Sequence, residues 1–324
     1  MTNSIVKAKA RPNVDVEPSP LMMPYYQHFG LDRDPFLDTA DPHFYRSTGN
    51  LAHAKNRLVQ SIEQSRGLMI VVGDPGTGKT SLAGAIEREL LNRDNVRLGK
   101  ILDPSFAGDI EFLVTIGRAF GLAFPPRSPA ALKNALKNFF YDAAVTEGST
   151  VALFIDEAQN LSDENLETLR LLLNFDVPER KLLNIVLFGQ SEFRDQVNKR
   201  RNLADRVAGW IDLMALSPAD TRALLAHRLS RAGGGGDLSM MFAADALDLI
   251  IEASLGTPRR LLTLAHATLE EAALRGHPRA LNVDAEVAIR SRGMKPTTPT
   301  PAEERTVAES EKTRRWPWLA FRFP

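Results

Sequence analysis

Gly73-Asp74-Pro75-Gly76-Thr77-Gly78-Lys79-Thr80 follows the apolar run Leu68-Met69-Ile70-Val71-Val72 and opens a helical pattern that continues from Ser81 to Leu91. A buried strand that ends in a glycine-rich turn and a helix is the arrangement of a P-loop. Its backbone N–H groups converge on an anion, and the helix presents its positive end to the same point. In this reading the residues from Gly73 through Ser81 cradle a nucleotide's phosphates. Lys79 reaches the β- and γ-phosphates, and the Thr80 hydroxyl ligates Mg²⁺. The expected cofactors are ATP and Mg²⁺.

Working outward, the run Val151-Ala152-Leu153-Phe154-Ile155 is unbroken and apolar and ends in Asp156-Glu157. Ligands of parallel sheets sit at the carboxyl ends of the strands, so an acidic pair there has two tasks beside a P-loop. Asp156 is expected to hold Mg²⁺, directly or through water, and Glu157 to orient and polarise the attacking water. A further strand over 183–188 ends in Gly189-Gln190. Gln190 is a candidate to reach both the γ-phosphate and the water; the plainer alternative is a cap for the helix that follows.

Strands near 68–72, 96–102, 151–155, 183–188 and 210–214 alternate with helices near 51–64, 81–91, 108–121 and 129–146, which argues for a parallel sheet covered on both faces. From Ser217-Pro218-Ala219-Asp220, a cap with proline at the first helical position, the pattern becomes helical only. Helices are expected to Arg231 and over 242–254, 258–274 and 283–292, with Gly233–Gly236 as a flexible joint. The fold class is therefore α/β, a three-layer αβα domain with a parallel sheet followed by a small all-α lid. The expected organisation is a disordered lead over 1–22, the nucleotide-binding domain over 23–215, the lid over 216–292 and a disordered tail over 293–324. The tail ends in the aromatic run from Trp316 to Pro324, a docking peptide, an interfacial anchor or a patch that packs on the protein's own surface. Aromatics between Tyr25 and Tyr45 form a clasp on the core, a seat for adenine, or both.

The 324 residues allow roughly two domains, and an apolar fraction of 44% with 25% charged residues is that of an ordinary soluble protein. Formal charge is balanced, so the whole-chain field points to neither nucleic acid nor membrane. Cysteine is absent, which excludes disulfides, thiolate zinc sites and a cysteine nucleophile. The histidines show no metal-ligand spacing. No apolar stretch follows the early basic residues, and no window is long enough for a membrane helix, so a cytoplasmic location is expected.

With these motifs the chain resembles the AAA+ ATPases, and more narrowly the ExeA/GspA (general secretion pathway protein A) group with its relatives among the TniB/TnsC-type transposition ATPases. The resemblance is carried by Tyr25-Tyr26-Gln27-His28-Phe29-Gly30-Leu31 with Asp34-Pro35-Phe36 and Asp41-Pro42, by the P-loop, and by Asp156-Glu157-Ala158-Gln159-Asn160-Leu161. It is carried also by Val186-Leu187-Phe188-Gly189-Gln190 and Gly256-Thr257-Pro258-Arg259-Arg260, and covers about 23–292. It implies that Arg259 touches the γ-phosphate from the lid. It also implies that Arg206 is an arginine finger reaching a neighbouring subunit's nucleotide, with Arg200 and Arg201 as rivals. A homo-oligomer, ring or filament, follows from such a finger.

Longer secretion-type members continue into a membrane helix and a wall-binding module that are not found here. The implied partner is then secretion or pilus machinery, or a transposase with DNA. Three functions compete: an ATPase that assembles or remodels a partner complex, an ATP-switched DNA-binding regulator of transposition, and a low-turnover nucleotide-bound scaffold.

Overall fold

A computed structural model describes residues 23–37, 41–47, 49–123, 128–178 and 180–293. The lead, the Pro125-Pro126-Arg127 breaker and the aromatic tail lie outside them. Helix α1 (Tyr25–His28) and a 3₁₀ turn (Pro42–Phe44) precede α2 (Gly49–Glu63), β1 (Leu68–Gly73), α3 (Lys79–Leu91) and β2 (Val96–Ile101). Next come α4 (Asp109–Ala119), α5 (Pro129–Tyr141), β3 (Thr150–Ile155) and α6 (Asp163–Leu172). A short hairpin of β4 (Asp176–Val177) and β5 (Arg180–Lys181) leads to β6 (Asn184–Gly189), α7 (Phe193–Asn198), α8 (Arg201–Ala204) and β7 (Val207–Leu213). The rest is helical: α9 (Pro218–Arg231), α10 (Leu238–Met241), α11 (Ala244–Ser254), α12 (Pro258–Leu274) and α13 (Asn282–Ser291).

The large sheet is wholly parallel, in the order β2-β3-β6-β1-β7. β1, β3 and β6 are buried along their whole length. Their side chains alternate between the two faces, as period-2 geometry requires. From β1, Leu68, Ile70 and Val72 join one cluster with residues of α4 to α8, while Met69 and Val71 join the other with α2 and α3. This is the three-layer arrangement the sequence implies.

Boundaries differ locally. β7 begins at Val207 rather than near Trp210, with a register shift opposite Leu68 and Met69. The helix expected to 146 ends at Tyr141 and continues as a π-helical turn over Asp142–Thr146. α6, capped by Ser162 accepting from Asn165 N–H, was not legible as a separate helix.

The helical region has its own core, and the N-terminal aromatics are part of it. Tyr25, Leu31, Phe36 and Phe44 are buried with side chains of α9 to α13. Arg228 in α9 donates to Pro35 O at 3.0 Å and to Leu37 O at 3.2 Å, and Asp32 N–H donates to Ala232 O at 2.8 Å. Gly233 and Gly234, the first half of the expected joint, are therefore packed. A Cβ at Gly233 would lie 2.4 Å from Asp32 Oδ2, and one at Gly234 2.7 Å from Leu31 Cδ2. Gly233 and Gly234 are the seat on which residues 31 and 32 pack. No helix of the described residues is long and apolar enough to cross a membrane.

A polar cluster fastens the same clasp. Asp34 accepts from the Tyr25 hydroxyl and from Phe36 N–H, and lies 3.2 Å from His266 Nδ1 on α12. Burial alone would raise the Asp34 carboxyl, but these hydrogen bonds outweigh it and hold it below its ordinary value. The bond to Asp34 is the main reason that His266 is raised; burial and Arg292 oppose this, and Glu270 assists.

The signs fix a window. The His266 contribution is complete below its unfolded value of 6.5 and is lost as pH rises through the raised folded value; the Asp34 contribution is present above 3.8 and lost as pH falls through its lowered one. Thermal unfolding followed across pH should therefore show stability declining as pH rises above about 6.5. Asp34→Asn should flatten that decline.

Candidate nucleotide site

The sheet order puts β6 between β1 and β3, so the tips carrying the P-loop, Gln190 and Asp156-Glu157 are neighbours. In the P-loop Gly76 has φ +83° and Gly78 φ +101°, backbone that a side chain would strain. A Cβ at Gly73 would lie 2.8 Å from Leu213 O. The chain turns tightly enough for α3 to start at Lys79 with its first amides directed at the loop.

Lys79 is buried, and its Nζ donates to Gly73 O at 2.7 Å and Asp74 O at 3.2 Å. Burial pulls the ammonium below its ordinary value; Glu157, Asp156, Asp74 and Glu192 oppose this by charge. A cation held against backbone carbonyls, beside a helix N-terminus, suits a phosphate. The Thr80 hydroxyl donates to Asp156 Oδ2 at 2.8 Å. That hydroxyl–carboxylate pair is a hard oxygen donor set of the kind a divalent cation takes.

Glu157 occupies the left-handed region, φ 49° and ψ 40°, which is costly for a non-glycine residue. Its N–H donates to Asp156 Oδ1 at 3.0 Å, and its Oε2 accepts from Gln159 Nε2 at 2.6 Å. Gln190 N–H donates to Gln159 Oε1 at 3.1 Å. Ser191 Oγ donates to Asp74 Oδ1 at 2.7 Å, so the β6 tip touches both neighbouring motifs.

A cavity of about 420 Å³ opens between these tips and the lid, lined by Pro75 to Ser81, Glu157, Gln190 and Arg259. Arg259 reaches it because α12 starts against the P-loop. Arg259 N–H donates to Gly76 O at 3.3 Å, and a Cβ at Gly76 would lie 2.8 Å from Arg259 Cβ. Gly73 and Asp74 lie beneath Lys79, and Asp156 behind Thr80.

Arg206 stands apart. It is exposed between α8 and β7 and does not line the cavity. Arg201 is exposed too, whereas Arg200 pairs with Asp163 and donates to Gln196 O at 2.5 Å.

The far end of the cavity was less legible. Phe44 and Tyr45 line it together with Arg46, Arg88 and Arg228. Arg228 lies 5.3 Å from the centre of the Phe44 ring, and Arg88 5.8 Å from that of Tyr45. Phe44 thus packs in the helical core and faces the cavity at once. Arg88 and Arg228 sit inside helices α3 and α9, and Arg46 in the segment before α2, with no motif around them. Gln159, by contrast, lay within a quoted motif, and only the fold reveals its bonds.

Residues 62–197 match the family described as AAA domain. The chain is similar to General secretion pathway protein A of Aeromonas hydrophila, 29% identical over 266 residues, covering 82% of this chain and 48% of that protein. It is also similar to ATP-dependent target DNA activator B of Escherichia phage Mu, 33% identical over 122 residues, 38% of this chain and 34% of that one. The chain therefore spans about half the length of the secretion relative and about a third of the phage relative.

Among solved structures, Cdc6p from Pyrobaculum aerophilum shares the fold, with a TM-score of 0.61 at 16% identity over 79% of this chain and 70% of that one. The Aeropyrum pernix ORC2 protein does so with a TM-score of 0.59 at 17% identity, covering 80% and 71%. Residues 62–197 thus resemble the AAA domain family, and the resemblance to General secretion pathway protein A extends over most of the chain's length. Nucleotide binding with a divalent metal goes with that family.

Lys79→Ala should weaken ATP binding on the order of 100-fold, because the phosphate charge loses its buried partner. Equilibrium titration with a fluorescent ATP analogue measures this directly.

Proposed function

We propose that the chain binds ATP with Mg²⁺ in this cavity and hydrolyses it within an assembly of copies, and that the cycle assembles or remodels a partner complex. One observation carries the reading: Lys79, the Thr80–Asp156 pair, Glu157, Gln190 and Arg259 converge on one cavity, from three strand tips and the lid. Thr80 and Asp156 would hold Mg²⁺, which supplies charge neutralisation for the transferring phosphoryl group. Glu157 orients and polarises the attacking water. Gln190 serves the γ-phosphate and the water from the middle strand tip. Arg259 brings a guanidinium from the lid to charge that develops during transfer.

The base end is assigned to Phe44 and Tyr45 with the arginines around them. Arg206, exposed and away from its own chain's cavity, is assigned to a neighbouring copy's nucleotide. A cytoplasmic location, where ATP is supplied, belongs to the same reading.

The phage relative, a protein named as an ATP-dependent target DNA activator, favours a second reading in which ATP binding assembles the protein on duplex DNA. Steady-state hydrolysis with and without duplex DNA, at several protein concentrations and two salt levels, separates the two. Hydrolysis that rises with protein concentration and ignores DNA supports remodelling of a protein partner. Stimulation by DNA that fades with salt supports the second reading.

Glu157→Gln should bind ATP as tightly as the wild type and lose hydrolysis by on the order of 100-fold or more. Normal turnover would remove Glu157 from the mechanism. Arg206→Ala should be inactive alone and recover activity when mixed with Lys79→Ala, since each variant can lend the other its intact half of a shared site. Absence of recovery at every mixing ratio would reject the assignment in trans.

A further inference from the structure

We infer that Gln159 is the positioning residue for Glu157, fixing its carboxylate and tying it to the tip of β6; the inference rests on the ATPase reading above. Both ends of the Gln159 amide are engaged, Nε2 to Glu157 Oε2 at 2.6 Å and Oε1 to Gln190 N–H at 3.1 Å. A backbone N–H can only donate and an ionised carboxylate can only accept, so the amide has one orientation that satisfies both. Gln159 is thus a spacer of fixed polarity between a flexible side chain and a fixed piece of backbone.

Glu157 needs such a spacer. Its backbone is already in a costly conformation, and its side chain has three rotatable bonds with no other hydrogen-bond partner assigned to its carboxylate among the described residues. Held at Oε2, it keeps Oε1 uncommitted at the edge of a cavity that the residue lines. Misplacement of a reacting group by about 1 Å costs on the order of 100-fold in rate.

The other end of the spacer is firm. Gln190 directly follows a fully buried central strand, and the next residue, Ser191, is bonded to Asp74 of the P-loop at 2.7 Å. The line Glu157–Gln159–Gln190–Ser191–Asp74 therefore fixes the acidic residue relative to the loop that would hold the phosphates. The polar atom at the strand tip that serves this purpose is the backbone N–H of Gln190, which leaves its side chain for the cavity.

Two substitutions divide the two bonds. Gln159→Ala removes both, and Gln159→Glu keeps an acceptor for Gln190 N–H while replacing the donor to Glu157 with a second carboxylate. Gln159→Ala should lower kcat by on the order of 10- to 100-fold, as loss of an orienting partner does, with KM and ATP affinity changed by no more than about twofold. Gln159→Glu should lower kcat comparably, because a second carboxylate facing Glu157 repels it where the amide donated to it. In a Glu157→Gln background, Gln159→Ala should have no further effect on turnover.

A readout independent of hydrolysis is the protection of Gln190 N–H against hydrogen exchange. It should be lost in Gln159→Ala and kept in Gln159→Glu. Unchanged or increased kcat in Gln159→Ala overturns the positioning role. Were the wild type inactive on ATP, the ATPase reading would fail by itself; unchanged Gln190 protection in Gln159→Ala would then overturn the tie as well, and its loss would support the tie.

Discussion

The site is built around an ammonium taken out of water. Lys79 has lost nearly all its solvent, and the carbonyls of Gly73 and Asp74 replace only part of that hydration. A buried cation is tolerable only where other groups answer it. The carboxylates of Asp74, Asp156, Glu157 and Glu192 supply a field that partly offsets the burial. They reach Lys79 because three parallel strands end side by side. The strand order, the glycines that let the loop close, and the acidic residues at the tips of β3 and β6 answer one electrostatic requirement.

The same neighbourhood holds strain. Glu157 is one of three non-glycine residues with positive φ among the described residues, and it lines the cavity. Such backbone persists where surrounding bonds over-determine it. Here the Asp156 carboxylate holds the Glu157 N–H and Gln159 holds its side chain. Leu255 is another of the three, and it precedes Gly256, where a Cβ would lie 2.3 Å from Leu216 O. The lid is thereby turned at a fixed angle so that Arg259 abuts Gly76.

Much of this was legible in the sequence, for a definite reason. Buried parallel strands read as unbroken apolar runs, and P-loop glycines answer a backbone need that few other residues meet, so β1, β3, β6 and the loop announce themselves. Thr80 and Asp156 were each expected at Mg²⁺, and their side chains are in hydrogen-bond contact. Other features leave no periodic trace. Gln159 and Arg228 act through bonds that reach residues only the fold brings near, across as many as 31 and 193 positions respectively. Gly233 to Gly236 looked like a joint because glycine signals freedom and close packing with the same letter. The exposed edge of β7 carries a bulge, which moved its start by several residues.

The clasp also sets the order in which the chain can finish folding. The helical core needs Tyr25, Leu31, Phe36 and Phe44 from one end of the chain and α9 to α13 from the other, with bonds spanning 193 positions. During synthesis at about 5–20 residues per second, the aromatics wait on the order of 10–40 s for the helices that cover them. The α/β layers can close in that interval without them. The lid is then the last part to consolidate, and a nascent chain presents its N-terminal aromatics to chaperones before it presents a complete nucleotide site.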